Sequence, residues 1–434
     1  MATRRQSIRL TFNTVRRSLE FVDVEYLRTM VNSAAPSQGL LLLSELFPPA
    51  IGGSAVLFGE IYSRVEVPVT VLSEGVGMDD YGIRSPRALL RYLRLALKLR
   101  SSARRVAMIH CGRALPEGLA AFICRRFGGP RYACWAHGED IATALTSREL
   151  TLLMRMVYRG ADVTFANSVN TRGMLRELGI AADRLEIVYP GVDTQRFRPE
   201  VDATEIRQRV APNGETVLLS VGRLQTRKGH DLMIQAVRQL TREPHRSLRY
   251  VIVGDGLERS RLEALVDQCG VRQYVTFAGE VASELLPHYY AACDIFVLPN
   301  RVEQNDVEGF GIVFLEAAAS GKPTVGGRSG GVPEAMADGV TGLLVGGTDV
   351  EELASTIARL MGSESLRRSL GEAGRIRAVR EFSWESAAQR VSASHERLTN
   401  RRTGATTVID DHRANPASAV RVVEGAAAHE RKVP

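Results

Sequence analysis

Two carboxylates eight residues apart, Glu308 and Glu316, flank Gly309, Phe310 and Gly311 in the stretch Asp306-Val307-Glu308-Gly309-Phe310-Gly311-Ile312-Val313-Phe314-Leu315-Glu316. Ionised carboxylates only accept hydrogen bonds, so they suit a ligand rich in hydroxyl donors. If both lie on one helix, eight positions at about 1.5 Å each span roughly 12 Å. That is comparable to the separation of hexose and ribose in a nucleotide sugar, so one acid can hold sugar hydroxyls and the other a ribose diol. The same pattern also fits a helix N-terminus whose acids favour the helix dipole. Spacing alone does not choose between the two.

A second stretch, Val221-Gly222-Arg223-Leu224-Gln225-Thr226-Arg227-Lys228-Gly229, follows a buried apolar run and precedes an amphipathic one. Strand-to-helix loops of this kind lie at the carboxyl edge of a parallel sheet, where open α/β folds bind ligands. Arg223 can fork onto phosphate oxygens and Lys228 can supply a point charge, together neutralising a departing diphosphate. Plain solvated loop charge is the alternative. Gly326-Gly327-Arg328-Ser329-Gly330-Gly331-Val332-Pro333-Glu334 is a third cluster, whose glycines would let backbone amides approach an anion and whose proline suits a first helical turn. A comparable loop, Pro48 with Gly52-Gly53-Ser54, follows the first strand. His137, in Trp135-Ala136-His137-Gly138-Glu139-Asp140, also sits at a strand end, where it can be catalytic or a hydrogen-bonded spacer.

Other chemistries find little support. The Gly254-Asp255-Gly256 turn lacks the third glycine of a dinucleotide fingerprint, and no Gly-x-x-x-x-Gly-Lys-Ser/Thr loop occurs. Neither an Asp-x-Asp pair nor a zinc-like histidine spacing stands out, so no metal and no cofactor is expected, and positive loops and helix ends must do the electrostatic work. Aromatic residues make up 6% and do not interleave with the basic ones. A nucleic-acid partner is therefore not expected.

These loops need a scaffold. Short β-rich apolar runs at Leu40–Ser44, Val67–Leu72, Val106–His110, Tyr132–Ala136, Val163–Asn167 and Ile187–Tyr189 alternate with amphipathic stretches. The rhythm signals a parallel, doubly wound sheet. It breaks over Asp193–Pro212 and restarts at Val217–Val221, Tyr250–Val253, Val275–Phe277, Ile295–Leu298 and Thr324–Gly326. The expected organisation is a basic extension over 1–38, a first Rossmann-like domain over 39–200, a second over 201–380, a crossing helix over 381–400 and a disordered tail over 401–434. Between 85 and 105, Arg87, Arg91, Arg94 and Lys98 recur at helical spacing beside Leu89, Leu90, Leu93 and Leu97. Such a basic amphipathic helix can lie on anionic lipid or be a surface helix with a solvated face.

Bulk composition is that of an ordinary globular chain: 434 residues, 44% hydrophobic, 24% charged, with a formal charge of +7 that favours anionic partners. No run approaches the roughly 18 apolar residues of a membrane span, and the start lacks the apolar block of a secretory signal. A cytoplasmic protein, peripheral at most on the inner face of the membrane, is expected. The five cysteines form no C-x-x-C pair and are expected as reduced, mostly buried thiols.

Taken together, the chain resembles the family 4 glycosyltransferases, which have the GT-B fold of two facing Rossmann-like domains with a C-terminal crossover helix. The motifs occur in the family's order from about residue 39 to 398: Phe47-Pro48-Pro49 with Gly52-Gly53, Pro190-Gly191-Val192-Asp193, Gly222-Arg223 with Lys228-Gly229, Gly254-Asp255-Gly256, Glu308 with Glu316, and Gly330-Gly331 with Glu334. The resemblance implies metal-independent hexosyl transfer with retained anomeric configuration. The nucleotide sugar would bind mainly to the second domain and the acceptor to the first. It implies that Arg223 and Lys228 hold the diphosphate, Glu308 the sugar and Glu316 the ribose. Gly53, Gly222, Gly309, Phe310 and Gly311 would line the donor, and His137 would approach the reacting centre. The Asp306–Gly309 segment and the basic helix look most like the phosphatidylinositol mannosyltransferase branch, which uses GDP-mannose, and the acceptor is expected to be lipid-linked, a polysaccharide or a small molecule. Nothing in the sequence selects GDP-mannose over a UDP-sugar. An epimerase or phosphorylase on the same fold, or a non-catalytic sugar-nucleotide binder, are the alternatives.

Overall fold

In a computed structural model, residues 39–50, 52–73, 82–83, 85–103, 106–242, 247–303 and 306–400 are described. The extension over 1–38 and the tail over 401–434 lie outside them, as do Arg104 and Arg105 of the basic stretch.

Twelve strands among the described residues form two six-stranded sheets in which neighbouring strands run parallel. The first contains β1 (Leu40–Leu43), β2 (Val69–Leu72), β3 (Met108–Cys111), β4 (Arg131–Ala136), β5 (Val163–Ala166) and β6 (Leu185–Ile187), in the order β2-β1-β3-β4-β5-β6. The second contains β7 (Thr216–Val221), β8 (Leu248–Val253), β9 (Val275–Gly279), β10 (Ile295–Leu298), β11 (Thr324–Gly327) and β12 (Gly342–Val345), ordered β12-β11-β10-β7-β8-β9. Both sheets reverse direction next to their first strand, between β1 and β3 and between β7 and β10. Crevices that accept ligands open at such switch points. The architecture is the GT-B arrangement.

The strands read as continuous apolar runs because helices cover both faces. Leu41 and Leu43 enter one core with Tyr92, Leu95 and Leu99, while Leu40 and Leu42 enter the opposite one with Phe58 and Trp135. Alternate side chains of a strand face opposite sides, so one leucine run feeds two cores. The final helix, Trp384–Asn400, follows a break at Phe382-Ser383 and returns to the first sheet, burying Trp384, Ala387, Ala388, Val391 and Leu398 against that second core. Burial of Trp384, Val391 and Leu398 stabilises this return by about 1.5–3 kcal/mol each.

Two expectations shift. The strand expected at Ile187–Tyr189 ends at Ile187, and β12, which the apolar rhythm did not announce, completes the second sheet. Four of the five cysteines are buried, Cys269 is half-buried, and all five are free thiols.

Candidate active site

β7 ends at Val221, and the chain passes through Gly222 and Arg223 into a tight turn at Thr226–Lys228 before the helix His230–Leu240. Across the switch point, β10 ends at Leu298 and leads through Asn300 to Glu308. These two loops meet in a compact charge cluster. The Oε2 atom of Glu308 accepts from Arg227 Nη1 at 2.7 Å, Lys228 Nζ at 2.6 Å and Asn300 Nδ2 at 2.7 Å. Arg227 also pairs through Nε with Asp306 at 3.0 Å and through Nη2 with Glu139, from the first domain, at 3.3 Å. Glu139 lies 3.7 Å from Arg223 as well.

The electrostatics follow from burial opposed by charge. Burial pushes the Glu308 carboxyl up, but Lys228 and Arg227 outweigh it and hold the group below its ordinary value. Burial lowers Lys228 and is only partly opposed by Glu308. Asp306 is raised, first by burial and then by Glu139 and Glu308, against the pull of Arg227. For Arg227 burial loses to its three acids, so its pKa is raised.

Several site residues expected from sequence need correction. The eight-residue rise between Glu308 and Glu316 does not apply, because the helix starts only at Ile312, after Gly311 in a left-handed conformation. Glu316 is therefore on the helix and Glu308 on the loop before it. Glu316 accepts from the Tyr290 hydroxyl at 2.6 Å and is raised by burial, against that bond. The Phe310 ring is buried in the core against Tyr189 and Phe382. The Gly331 N–H does not await an anion, since it donates to the Glu308 carbonyl at 2.9 Å. Gly330, at φ +53°, packs so tightly that a Cβ would sit 1.9 Å from that carbonyl oxygen. The third glycine cluster thus buttresses Glu308.

Arg223 is where a ligand can reach it, with 60% of its side chain exposed. Gly222 lies beside the end of Lys228, and a Cβ on Gly53 would touch Ile312 of the second domain at 3.8 Å, which puts Gly53 on the facing wall. His137 is stacked on Trp135 and edge-on to Phe58, and its Nε2 lies 2.9 Å from the Gly112 carbonyl. A carbonyl only accepts, so Nε2 is the donor in this contact. The two domains touch here. A Cβ on Gly309 would lie 2.2 Å from the His137 carbonyl oxygen, so only glycine permits the approach. Nearby, Glu334 accepts from the N–H groups of Val169 at 2.6 Å and Asn170 at 2.9 Å, capping a helix of the opposite domain (Val169–Glu177).

Sequence reasoning gave no role to Arg227, Asn300, Asp306 or Glu139. A second cation beside Lys228, and an acid two residues after His137, were the signals present. Among the described residues no group of three or more His, Cys, Asp or Glu side chains is arranged to hold a metal ion, and no helix is long and apolar enough to cross a membrane.

Comparison with known proteins places these features in context. The family model "Glycosyltransferase Family 4" matches residues 62–196 and "Glycosyl transferases group 1" matches residues 202–377. The chain is 32% identical to a GDP-mannose-dependent alpha-(1-6)-phosphatidylinositol monomannoside mannosyltransferase of Mycolicibacterium smegmatis, over 84% of this chain and 99% of that protein. It is 29% identical to a GDP-mannose-dependent monoacylated alpha-(1-6)-phosphatidylinositol monomannoside mannosyltransferase of Corynebacterium glutamicum, over 82% and 97%. Among solved structures, sucrose-phosphate synthase from Thermosynechococcus elongatus superimposes with a TM-score of 0.71 at 23% identity, covering 84% of this chain and all of that one. Anabaena Alr3699/HepE in complex with UDP-glucose superimposes at 0.70 and 20% identity, covering 83% and 100%. At these identities the two structures show the fold.

Proposed function

The chain belongs to glycosyltransferase family 4, and from that premise we propose that it transfers mannose from GDP-mannose, with retained configuration, to a phosphatidylinositol-type lipid. It is a hexosyltransferase using a nucleotide-diphosphate sugar. The donor base, the hexose and the acceptor are the finer parts of the reading. They are supported by the two mannosyltransferases that match nearly end to end.

The observation that carries the site assignment is the meeting of Arg223, Arg227, Lys228 and Glu308 at the switch point of the second sheet, beside the wall that holds His137. As the bond from sugar to diphosphate breaks, negative charge grows on the leaving group. Arg223 and Lys228 stabilise it from a partly desolvated loop, where each charge counts for more than in water. Glu308 is held ionised and immobile by three donors, so its carboxylate is preorganised to accept from sugar hydroxyls. Glu316, one turn into the following helix, is assigned the ribose diol. His137 approaches the sugar from the first domain. Gly53, Gly222, Gly309 and Gly311 keep the walls close, and Phe310 supports them from the core.

A lipid acceptor fits the helix Pro86–Ser102. Its buried face is Ala88, Tyr92, Leu95, Ala96 and Leu99. Leu89, Leu90, Leu93 and Leu97 are 44%, 45%, 37% and 68% exposed, among Arg87, Arg91, Arg94 and Lys98. This face supports peripheral contact with an anionic membrane on its cytoplasmic side. The test is nucleotide release from GDP-mannose and UDP-glucose, with and without a lipid extract. Release from GDP-mannose that rises with lipid is expected. Absence of turnover with every sugar nucleotide tried sinks the reading.

A further inference from the structure

The charge cluster is complete without a ligand. Arg223, Arg227 and Lys228 face Glu139, Asp306 and Glu308, three positive groups against three negative ones. A sugar nucleotide brings a negative charge on each phosphoryl group into this balanced set. One of the three acids must give way, or the added charge meets a neutral cluster instead of a positive one.

The geometry distinguishes the acids. Glu308 is bound by three donors at 2.7 Å or less and has 10% of its side chain exposed. Asp306 belongs to the same domain as the cations and meets Arg227 at 3.0 Å. Glu139 makes the longest contacts, 3.3 Å to Arg227 and 3.7 Å to Arg223, is the most exposed at 41%, and comes from the facing domain on the first turn of the helix Glu139–Ala144. Its neighbour Asp140 is committed elsewhere, to the His137 N–H at 3.0 Å and the Tyr158 hydroxyl at 3.2 Å. Glu139, with the longest contacts and from the facing domain, is the acid that a side-chain rotation or a small parting of the domains separates most readily from its cations.

We propose that Glu139 is an internal counter-ion for the donor site: in the free protein it offsets the charge of Arg223 and of the neighbouring Arg227, and it releases them when the diphosphate of a donor binds. Its release makes donor affinity a competition between a carboxylate and a diphosphate. The inference rests on the donor-site reading above.

Calorimetric titration of the full chain with GDP, UDP, inorganic pyrophosphate and guanosine tests it, in wild type, Glu139→Gln and Glu139→Ala. Both substitutions are expected to tighten the preferred nucleoside diphosphate, and pyrophosphate with it, by about three- to tenfold, as fits partly exposed ion pairs that no longer compete. Guanosine, which lacks phosphate, should bind equally to all three. A merely structural role for Glu139 would weaken binding or leave it unchanged, and either result in both variants overturns the proposal. Wild-type turnover of a sugar nucleotide with no gain of affinity in the variants defeats this inference alone. No turnover and no diphosphate binding in wild type defeats the donor-site reading itself.

Discussion

Arg227 shows why one guanidinium cannot be exchanged for another cation. Nε, Nη1 and Nη2 each meet a different acid, Asp306, Glu308 and Glu139, from a side chain only 4% exposed. Removing it leaves Glu308 on Lys228 and Asn300 and strips Asp306 of its pair, so Arg227→Ala should lose about 3 kcal/mol in denaturant unfolding. Lysine carries the charge without the fork, and Arg227→Lys should recover less than half of that. A loss within 0.5 kcal/mol of wild type, the range of an ordinary surface substitution, means the cluster is not a cooperative unit. Lys228→Ala, by contrast, removes the charge proposed to stabilise the leaving group and should lower kcat by about 10²–10³-fold. Glu117, buried in the first domain, offers a pH readout. It is fully buried, and burial raises it to about 7 from an ordinary 4.5, against the nearby Arg113. The folded state therefore holds a proton that the unfolded chain loses, and this contribution is present below pH 4.5 and lost as pH rises to 7. The stability of wild type relative to Glu117→Gln should fall by about 1.4 kcal/mol per pH unit across that window and stay level above it. A difference independent of pH would show that Arg113 keeps Glu117 ionised throughout.

The elements that carry these side chains were legible to different degrees, for physical reasons. Strands such as Leu40–Leu43 and Ile295–Leu298 are covered on both faces, so burial is written directly as an apolar run. β12, only Gly-Leu-Leu-Val after a turn, carries too little pattern to register. The start of the helix at Ile312 was missed because Glu308 and Glu316 are only a helical pair if the glycines between them are helical, and Gly311 is not. The placing of loops at strand ends was readable, because parallel α/β sheets put ligands there. Which loop residues pair was not readable, since Arg227 and Glu308 lie 81 positions apart. Nor was the use of Glu334, quoted within a glycine-rich motif, as the cap of a helix in the other domain. Its carboxylate meets the free N–H groups at the positive end of Val169–Glu177. Glu334→Ala should therefore cost about 1 kcal/mol in unfolding. Because the cap spans the seam, small-angle scattering should also show a larger radius of gyration in the variant. Lost stability with unchanged dimensions would make the cap local, with no part in holding the domains together.

Charge is unevenly spread over the whole chain, and its location decides what the net value means. Lys and Arg number 56 and Asp and Glu 49, which gives +7, yet residues 86–131 alone hold eleven basic residues against one acid, Glu117, or +10. The remainder is thus −3, so this protein is a weakly acidic body with one strongly basic segment. That segment includes the helix Pro86–Ser102, whose inner face packs on the first sheet beside Ile109 and Cys111 of β3. Its outer face presents leucines between cations. On the proposed function, a soluble donor and a lipid acceptor would meet only with the enzyme at the membrane and its cleft open to water, and a helix lying flat on anionic lipid would satisfy both demands. Near such a surface each cation contributes about 1 kcal/mol, so reversing Arg91 and Arg94 to Glu should reduce co-sedimentation with anionic vesicles by tenfold or more. Raising salt from roughly 0.1 to 1 M, which shortens the screening length from about 10 to 3 Å, should release the wild type in the same way. Nucleotide release without lipid should be unchanged in the double variant, because neither arginine belongs to the charge cluster. Leu89→Ser with Leu97→Ser should weaken attachment whatever the salt, since insertion depends on apolar area. Equal binding of wild type to neutral vesicles would leave only the leucines as anchor and remove the electrostatic half of this account.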